Sequence, residues 1–457
     1  MRGTAMSGEV SSRRILAGYF TLAGLYTLSA ALIWGVNTLF LLDAGLTFFE
    51  VFVANAAFSA GMVLFEIPTG VVADTLGRRV SFLLSVTVLG ATTLMYVGLA
   101  QVGAGVVAFS LVSVLMGLGF TFYSGAMEAW LVDALHATGY TGVLDRVFAR
   151  GQQITGAAML VGTIGGGLLG QIDLAIPYLA RSGLLAAVFV VAYVVMHDVG
   201  FVPRRVTARE LPTEVTANAR AGIEFGWRQR PLRLLMLAGL AQSAFLMWGF
   251  YASQPYLLEL LESDAIWIAG VVAAGVAMAT IVGNQVVRVA SRFTDRRTTL
   301  LLAAGAVETC GAVAMGLASS FWIALPALLL VMGATGVTSP VRSAYLHQVV
   351  RSEQRATVVS FDSMVSSVGG IGGQLGLGAL GEARSVSSAF VAGGLVTAGA
   401  LPILGRLRRL GGAPDRIDDA HAGVGGACAG TGIPAVSSVD THSPDEPDLV
   451  IPAATRA

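Results

Sequence analysis

Four carboxylates stand inside otherwise apolar stretches of this chain: Glu66, Glu128, Glu308 and Asp362. An ionised group in hydrocarbon costs roughly 2.5–3.5 kcal/mol on insertion scales, so such a residue faces a cavity or a partner. Burial penalises the charged form of a carboxyl, which makes each of the four a candidate for binding and releasing a proton. Glu66 precedes Asp74 by two helical turns, about 12 Å at 1.5 Å per residue. Glu128 precedes Asp133 by about 7–8 Å on the same rise. The alternative is structural, with each carboxylate bonded to backbone amides or paired with Arg146 or Arg150. For Glu308 and Asp362 packing or pairing is the first expectation and proton coupling the second. No other set of residues suggests chemistry. The two cysteines, Cys310 and Cys428, offer neither a disulfide framework nor a metal-ligand spacing. No nucleophile–base set and no phosphate loop is visible, so an enzyme, an ATP-driven pump, a metal site and a cofactor are not expected.

Composition says what must position these carboxylates. Of 457 residues 55% are hydrophobic and only 12% charged. A soluble domain carries about 25% charged residues. The net charge is zero and every one of the 28 basic residues is arginine; bulk charge suggests no nucleic-acid partner. Residues 15–42 and 80–127 contain no charge at all. A membrane-crossing helix needs about 20 apolar residues. Backbone in lipid must satisfy its own hydrogen bonds, and long runs apolar on all sides exclude a barrel of alternating strands. Twelve spans are predicted, at 16–41, 47–72, 80–100, 105–134, 148–171, 175–197, 232–258, 265–290, 298–318, 321–347, 356–381 and 386–407. The start does not read as a cleaved signal, because Arg13 and Arg14 precede an apolar run too long for one.

Arginine placement predicts orientation. Arg78, Arg79, Arg146, Arg150, Arg292, Arg296, Arg297, Arg351, Arg355 and Arg406 fall on one side, with the basic segment 198–231. Arg181, Arg384 and several acids fall on the other. This is the positive-inside asymmetry and puts both termini in the cytoplasm of a cell-membrane protein. The domain map is a cytoplasmic N-terminus (1–15), a six-helix bundle (16–197), a cytoplasmic linker (198–231), a second six-helix bundle (232–408) and a disordered cytoplasmic tail (409–457). A short helix is expected within 213–229. Six spans plus six across a linker suggest an internal duplication.

Three stretches carry a family resemblance. After span two the chain reads Glu66-Ile67-Pro68-Thr69-Gly70-Val71-Val72-Ala73-Asp74-Thr75-Leu76-Gly77-Arg78-Arg79. Span four ends Ser124-Gly125-Ala126-Met127-Glu128-Ala129-Trp130-Leu131-Val132-Asp133, and span eleven opens Arg355-Ala356-Thr357-Val358-Val359-Ser360. With the six-plus-six layout these resemble the major facilitator superfamily over residues 16–408, in particular bacterial drug and small-molecule efflux carriers. The resemblance implies an all-α fold of twelve transmembrane helices in two pseudo-repeats, with alternating access between inward-open and outward-open states. It also implies a gating loop of Gly70, Asp74, Gly77, Arg78 and Arg79, with Asp133 as partner of Arg78. In relatives this cluster locks the outward-facing state and breaks when the halves rock. Gly70 is expected to allow close helix approach and Gly77 a sharp turn. The alternative makes the paired arginines topogenic charges only. Thr75 stands where relatives carry arginine. Ser113 replaces the arginine that drug–proton antiporters carry in span four, and their span-five Gly-Pro is here Gly162-Thr163-Ile164-Gly165-Gly166-Gly167.

The resemblance places a substrate cavity between the halves at mid-depth, lined by spans one, four, seven and ten. Candidate lining residues are Trp34, Asn37, Tyr123, Gln242, Trp248 and Tyr251; ordinary packing is the alternative for each. Aromatic faces with few fixed charges suit amphipathic solutes. The expected activity is proton-coupled export of small amphipathic molecules by a monomer, whose partners are the solute, protons and the bilayer. Proton-coupled nutrient uptake is the alternative, and a receptor or scaffold without transport stands third.

Overall fold

The computed structural model describes residues 11–203, 216, 220–351 and 354–417. It is all helix. Span one is Ser12–Trp34, continued after a break by Asn37–Asp43; span two is Phe48–Leu76 and span three Arg78–Gln101. Span four is Val106–Tyr123, continued by Ala126–Ala137; spans five and six are Leu144–Gly170 and Ile176–Val195. The second set is Arg230–Leu261, Ile266–Ala290, Arg297–Gly316, Phe321–Val349 and Arg355–Ala383, closed by Val386–Ala398 running on into Ala400–Leu410. Eleven of these are long and apolar enough to cross a membrane by length and composition. The remaining one, span eleven, has 29 residues rich in glycine and serine and packs between spans two and seven, where small side chains suit close helix approach. Leu64, Leu94, Val161, Val190 and Leu330 are exposed on the outer surface, as a lipid-facing wall requires.

The packing repeats. Spans one with five, two with four and three with six pair in the first bundle; seven with eleven, eight with ten and nine with twelve pair in the second. Span two crosses to span eleven and span five to span eight. The expected duplication is therefore present as one set of helix pairs used twice.

Local signals set several boundaries. Thr47 and Glu50 form a capping box at the start of span two, which satisfies two backbone N–H groups that a helix start leaves open. Gly77 turns span two into span three at φ 109°, a conformation that costs other residues energy. Gly125 breaks span four at φ 77°, directly between Tyr123 and Glu128. The sequence reading gave spans one and four no such interruption. Within the predicted short helix, residues 220–227 are helical, ending in a π-helical turn at Gly222–Trp227; Trp227 meets Phe361 of span eleven edge-on.

Two expectations need correction. Arg181 does not lie outside the bundle. Ile176-Pro177 opens span six, proline being well suited to a first turn, so Arg181 falls in the second turn and is buried. The tail also does not begin at 409. Residues 409 and 410 finish the last helix, and Asp415 is buried. Its carboxylate accepts the N–H of Thr298 at 2.8 Å, and Ile417 N–H donates to Asp295 at 2.8 Å. The sequence looked like tail because it lacks apolar periodicity, but one acid and one isoleucine suffice to seat it. The rest of the predicted tail, 418–457, lies outside the described residues, as do most of 204–219.

Asp415 caps the first turn of span nine much as Asp198 caps span three, where it accepts the N–H of Arg79 at 2.9 Å. Both acids follow the last span of their bundle, so the device belongs to the repeat. Replacing a capping acid by alanine costs about 1 kcal/mol. Asp415→Ala is therefore expected to lower the thermal midpoint of the purified protein by a few degrees and leave its fold intact. A midpoint equal to wild type would mean that residues 414–417 contribute nothing to the second bundle.

Candidate functional site

Apolar contacts join the two bundles from one end to mid-depth, where Gly156 of span five faces Ile281 of span eight. Among the described residues every hydrogen bond between the bundles lies at the end opposite the arginine-rich loops. Gln254 of span seven donates to the Trp34 carbonyl at 2.7 Å, and its oxygen accepts the N–H of Thr38 at 3.1 Å. The Thr38 hydroxyl donates to the Tyr251 carbonyl at 2.9 Å, and the Phe49 N–H donates to Glu382 at 2.6 Å. Trp34 and Thr38 flank the break in span one, which frees the Trp34 carbonyl for Gln254. Sequence reading missed Gln254 because nothing in span seven distinguishes it from a packed glutamine. At the arginine-rich end a side chain placed at Gly70 would meet nothing within 4 Å. Gly70 was expected at a close helix contact; here its face is bare, because the bundles are apart at this end. The molecule is open toward the arginine-rich side and closed on the other.

The gating residues come together within the first bundle. Arg78 pairs with Asp74 at 2.6 Å and approaches Asp133 at 3.9 Å. Arg79 donates to the Tyr193 carbonyl at 2.6 Å and covers the Tyr193 ring. The cluster is formed in this structure, Arg78 holding Asp74 with Asp133 beyond it. All three charges belong to one bundle, so rocking of one bundle on the other need not stretch them.

The four carboxylates fall into three situations. Asp362 is paired with Arg342 at 2.5 Å, both largely buried, in the pairing role first expected. Arg342 lies across span seven at Gly239, where any side chain would collide with its guanidinium. Glu66 and Glu128 are half-buried and their side chains make no hydrogen bond or ion pair among the described residues. Glu128 does not pair with Arg150, whose guanidinium sits over the Phe20 ring instead; Tyr19 and Tyr123 are its electrostatic neighbours.

Glu308 differs from the other three. It is 5% exposed, and its oxygens accept only from neutral groups. Gln242 donates to one oxygen at 2.8 Å, and Thr338 and Thr335 donate to the other at 3.1 and 3.4 Å. No cation pairs with it among the described residues. Three donors satisfy a carboxylate, and the arrangement also accommodates the acid form. The oxygen facing the threonines stays an acceptor, while the other becomes O–H and needs Gln242 to turn its amide and present its carbonyl. A glutamine amide can serve either state by rotating half a turn, so protonation of span nine is felt on span seven.

The expected cavity residues divide. Asn37 accepts from the Tyr178 hydroxyl at 2.9 Å and donates to Asn55 at 3.0 Å. Tyr123 stacks on Tyr26 with ring centres 3.7 Å apart. Trp34 meets Phe250 edge-on, and Gln242 is held by Glu308. Trp248 is not a lining residue: it is fully buried against Phe52 and Phe390. An aromatic at that depth reads equally as lining or core, and contacts from spans two and twelve make it core.

The chain matches the family model described as Major Facilitator Superfamily over residues 19–312. No curated protein matches it by sequence. Its fold is similar to that of the nucleoside transporter NupG, at 11% identity and a TM-score of 0.72, covering 86% of this chain and 99% of that one. It is also similar to a bacterial homologue of the human lysosomal transporter Spinster in an inward-facing, unoccupied conformation (14% identity, TM-score 0.65, 91% and 100% covered). A third similar fold is the POT family transporter PepTSo (13% identity, TM-score 0.66, 87% and 98% covered). The family match spans more than half of the chain, and these likenesses extend the fold over the second bundle. The chain belongs to the Major Facilitator Superfamily and is a multi-pass membrane transporter.

Proposed function

We propose that this protein exports small amphipathic solutes in exchange for protons, with Glu308 as the proton-binding group and the arginine-rich end in the cytoplasm of a cell membrane. The observation that carries the coupling is the environment of Glu308: a buried carboxylate without a cation, held by an amide that can serve either protonation state. Asp362 is neutralised by Arg342, so its charge has no comparable reason to change. Glu66 and Glu128 remain open to water from the arginine-rich end and can act as entry points for the proton. The aromatic groups of spans one, four and seven, Trp34, Tyr123 and Tyr251, suit solutes with an apolar body. Both bundles of the pathway belong to one chain, so a monomer is sufficient.

Alternation follows from the contacts at the closed end. Breaking the Gln254 and Thr38 bridges while the bundles meet at the arginine-rich end would expose the same seam to the other side, the rigid-body rocking expected of paired repeats. The test is flux in vesicles holding the purified protein with its arginine-rich end outward. With the vesicle interior acidified, an exchanger is expected to accumulate labelled solute against its gradient, and the interior to become less acid when solute is added. Accumulation only with the opposite pH gradient would establish proton-coupled uptake in place of export. Flux indifferent to either gradient would remove proton coupling altogether.

A further inference from the structure

Arg181 is a cation inside the membrane with no acid beside it. It is 7% exposed, its Nε has no hydrogen-bond partner, and no ion pair reaches it among the described residues. A charge in such a place calls for a countercharge. What surrounds it is tyrosine: Tyr26, Tyr96, Tyr178 and Tyr251 are its electrostatic neighbours. They come from spans one, three, six and seven. One turn before Arg181, Tyr178 bonds Asn37, whose neighbour Thr38 bonds the Tyr251 carbonyl of the second bundle, so Arg181 stands near the seam at the closed end. Tyr178 lies three residues earlier on the same helix face. Its hydroxyl leads to Asn37 and from there to Asn55. Asn55 is 8% exposed, and its Nδ2 is also without a partner. The polar patch therefore ends in two unused donors, a guanidinium and an amide. Two buried donors without an acceptor ask for an anion, and a planar guanidinium matches an oxyanion in particular.

We propose that Arg181 and Asn55 seat the oxyanion of the transported solute, a carboxylate or phosphate carried on an apolar or aromatic body. The inference rests on the transport reading above and narrows its substrate class from amphipathic molecules to amphipathic organic anions. The tyrosines supply flat faces for the body and the two donors hold the head. Until solute binds, the guanidinium has no ion pair among the described residues. An arriving anion neutralises it, so the loaded site carries less net charge through the membrane than the empty one.

The experiment uses the full purified protein and four probes of similar body: benzoate, phenyl phosphate, neutral benzamide and benzylammonium. Binding is read from the thermal midpoint, and flux from counterflow in proteoliposomes. Benzoate or phenyl phosphate is expected to raise the midpoint, and the stronger of the two identifies the head group; benzamide and benzylammonium are expected to do nothing. Arg181→Gln should weaken anion binding roughly tenfold to a hundredfold, as loss of a charged hydrogen-bond donor does. Arg181→Lys should keep part of it, since the charge survives and the fork does not. Should Arg181→Gln fail to fold, Asn55→Leu keeps Arg181 and is expected to weaken anion binding several-fold. Stabilisation by neither anion, or equal stabilisation of wild type and Arg181→Gln, would overturn the proposal. Counterflow of benzamide or benzylammonium without anion binding would overturn the anion seat and leave transport standing. Anion binding without flux of any probe would instead overturn transport and leave the seat.

Discussion

Gly270→Val is expected to abolish solute flux while leaving the protein folded, because it props open the end at which the bundles close. Gly270 lies one turn into span eight, at the seam with span five. A Cβ there would stand 2.5 Å from the Thr163 carbonyl and 2.8 Å from the Gly167 Cα. Gly35, at the break in span one, meets Gly270 from a third side. All of these neighbours are backbone, which cannot swing aside as a side chain would. Overpacking of this kind costs typically 1–3 kcal/mol. Spent on one of two states, that energy shifts their ratio roughly 5–150-fold. The first bundle, with its own core, does not depend on this contact, so the cost falls on closure more than on folding. Spin labels at Ile172 and Trp267, both exposed near this end, should report a longer distance in the variant, and counterflow should fall at least tenfold. Gly183→Ala is the control, since nothing lies within 4 Å of a Cβ at that position. Normal flux and an unchanged distance in Gly270→Val would mean that spans five and eight do not form the closing contact.

The closing contact was only partly legible in the sequence. Glycines at 162–167 announced close packing of span five, and the structure has them against span one and span eight. Which of them meets the other bundle depends on span eight, whose glycines look alike in a linear reading. The same division holds elsewhere. Helix count and the Gly77 turn follow from local composition and spacing, because hydropathy is local; the reading gave Arg78 to Asp133, whereas its nearer partner is Asp74, one turn away on the same face. Arg181 was read only as a charge of the outer side because it stands near the start of span six, and no spacing within that span shows that its side chain turns into the bundle. Glu308 was ranked below Glu66 and Glu128 because depth was judged along a single helix. Its distinguishing feature is a partner set from spans seven and ten, which no spacing within span nine encodes. Asp415 was lost for the same reason: its partner, the N–H of Thr298, is far away in sequence.

Glu308→Gln should separate proton coupling from solute movement. Glutamine has nearly the volume of glutamate and cannot ionise, so it holds the site in its neutral form. The threonine pair, Thr335 and Thr338, can still donate to the side-chain oxygen. The new amide N–H₂ then faces Gln242, which must turn its carbonyl toward it, as it would toward the protonated acid. Folded yield should therefore stay near that of wild type. Accumulation of solute driven by a pH gradient should fall to the level of passive exchange, while exchange of solute for solute persists. Glu308→Ala is the contrasting case. It strands the Gln242 amide in a buried site, at about 1–3 kcal/mol, and leaves a cavity, while Thr335 and Thr338 fall back on the Val331 and Ala334 carbonyls; folded yield should drop together with both kinds of flux. If Glu308 were only a structural acceptor, Glu308→Gln would retain gradient-driven accumulation, because its oxygen still serves the threonines. That result would return the coupling role to Glu66 and Glu128, which Glu66→Gln and Glu128→Gln would then test by the same pair of measurements. Loss of gradient-driven accumulation in Glu308→Gln with exchange intact has no structural explanation, since a site that still folds and still moves solute has lost nothing except its proton.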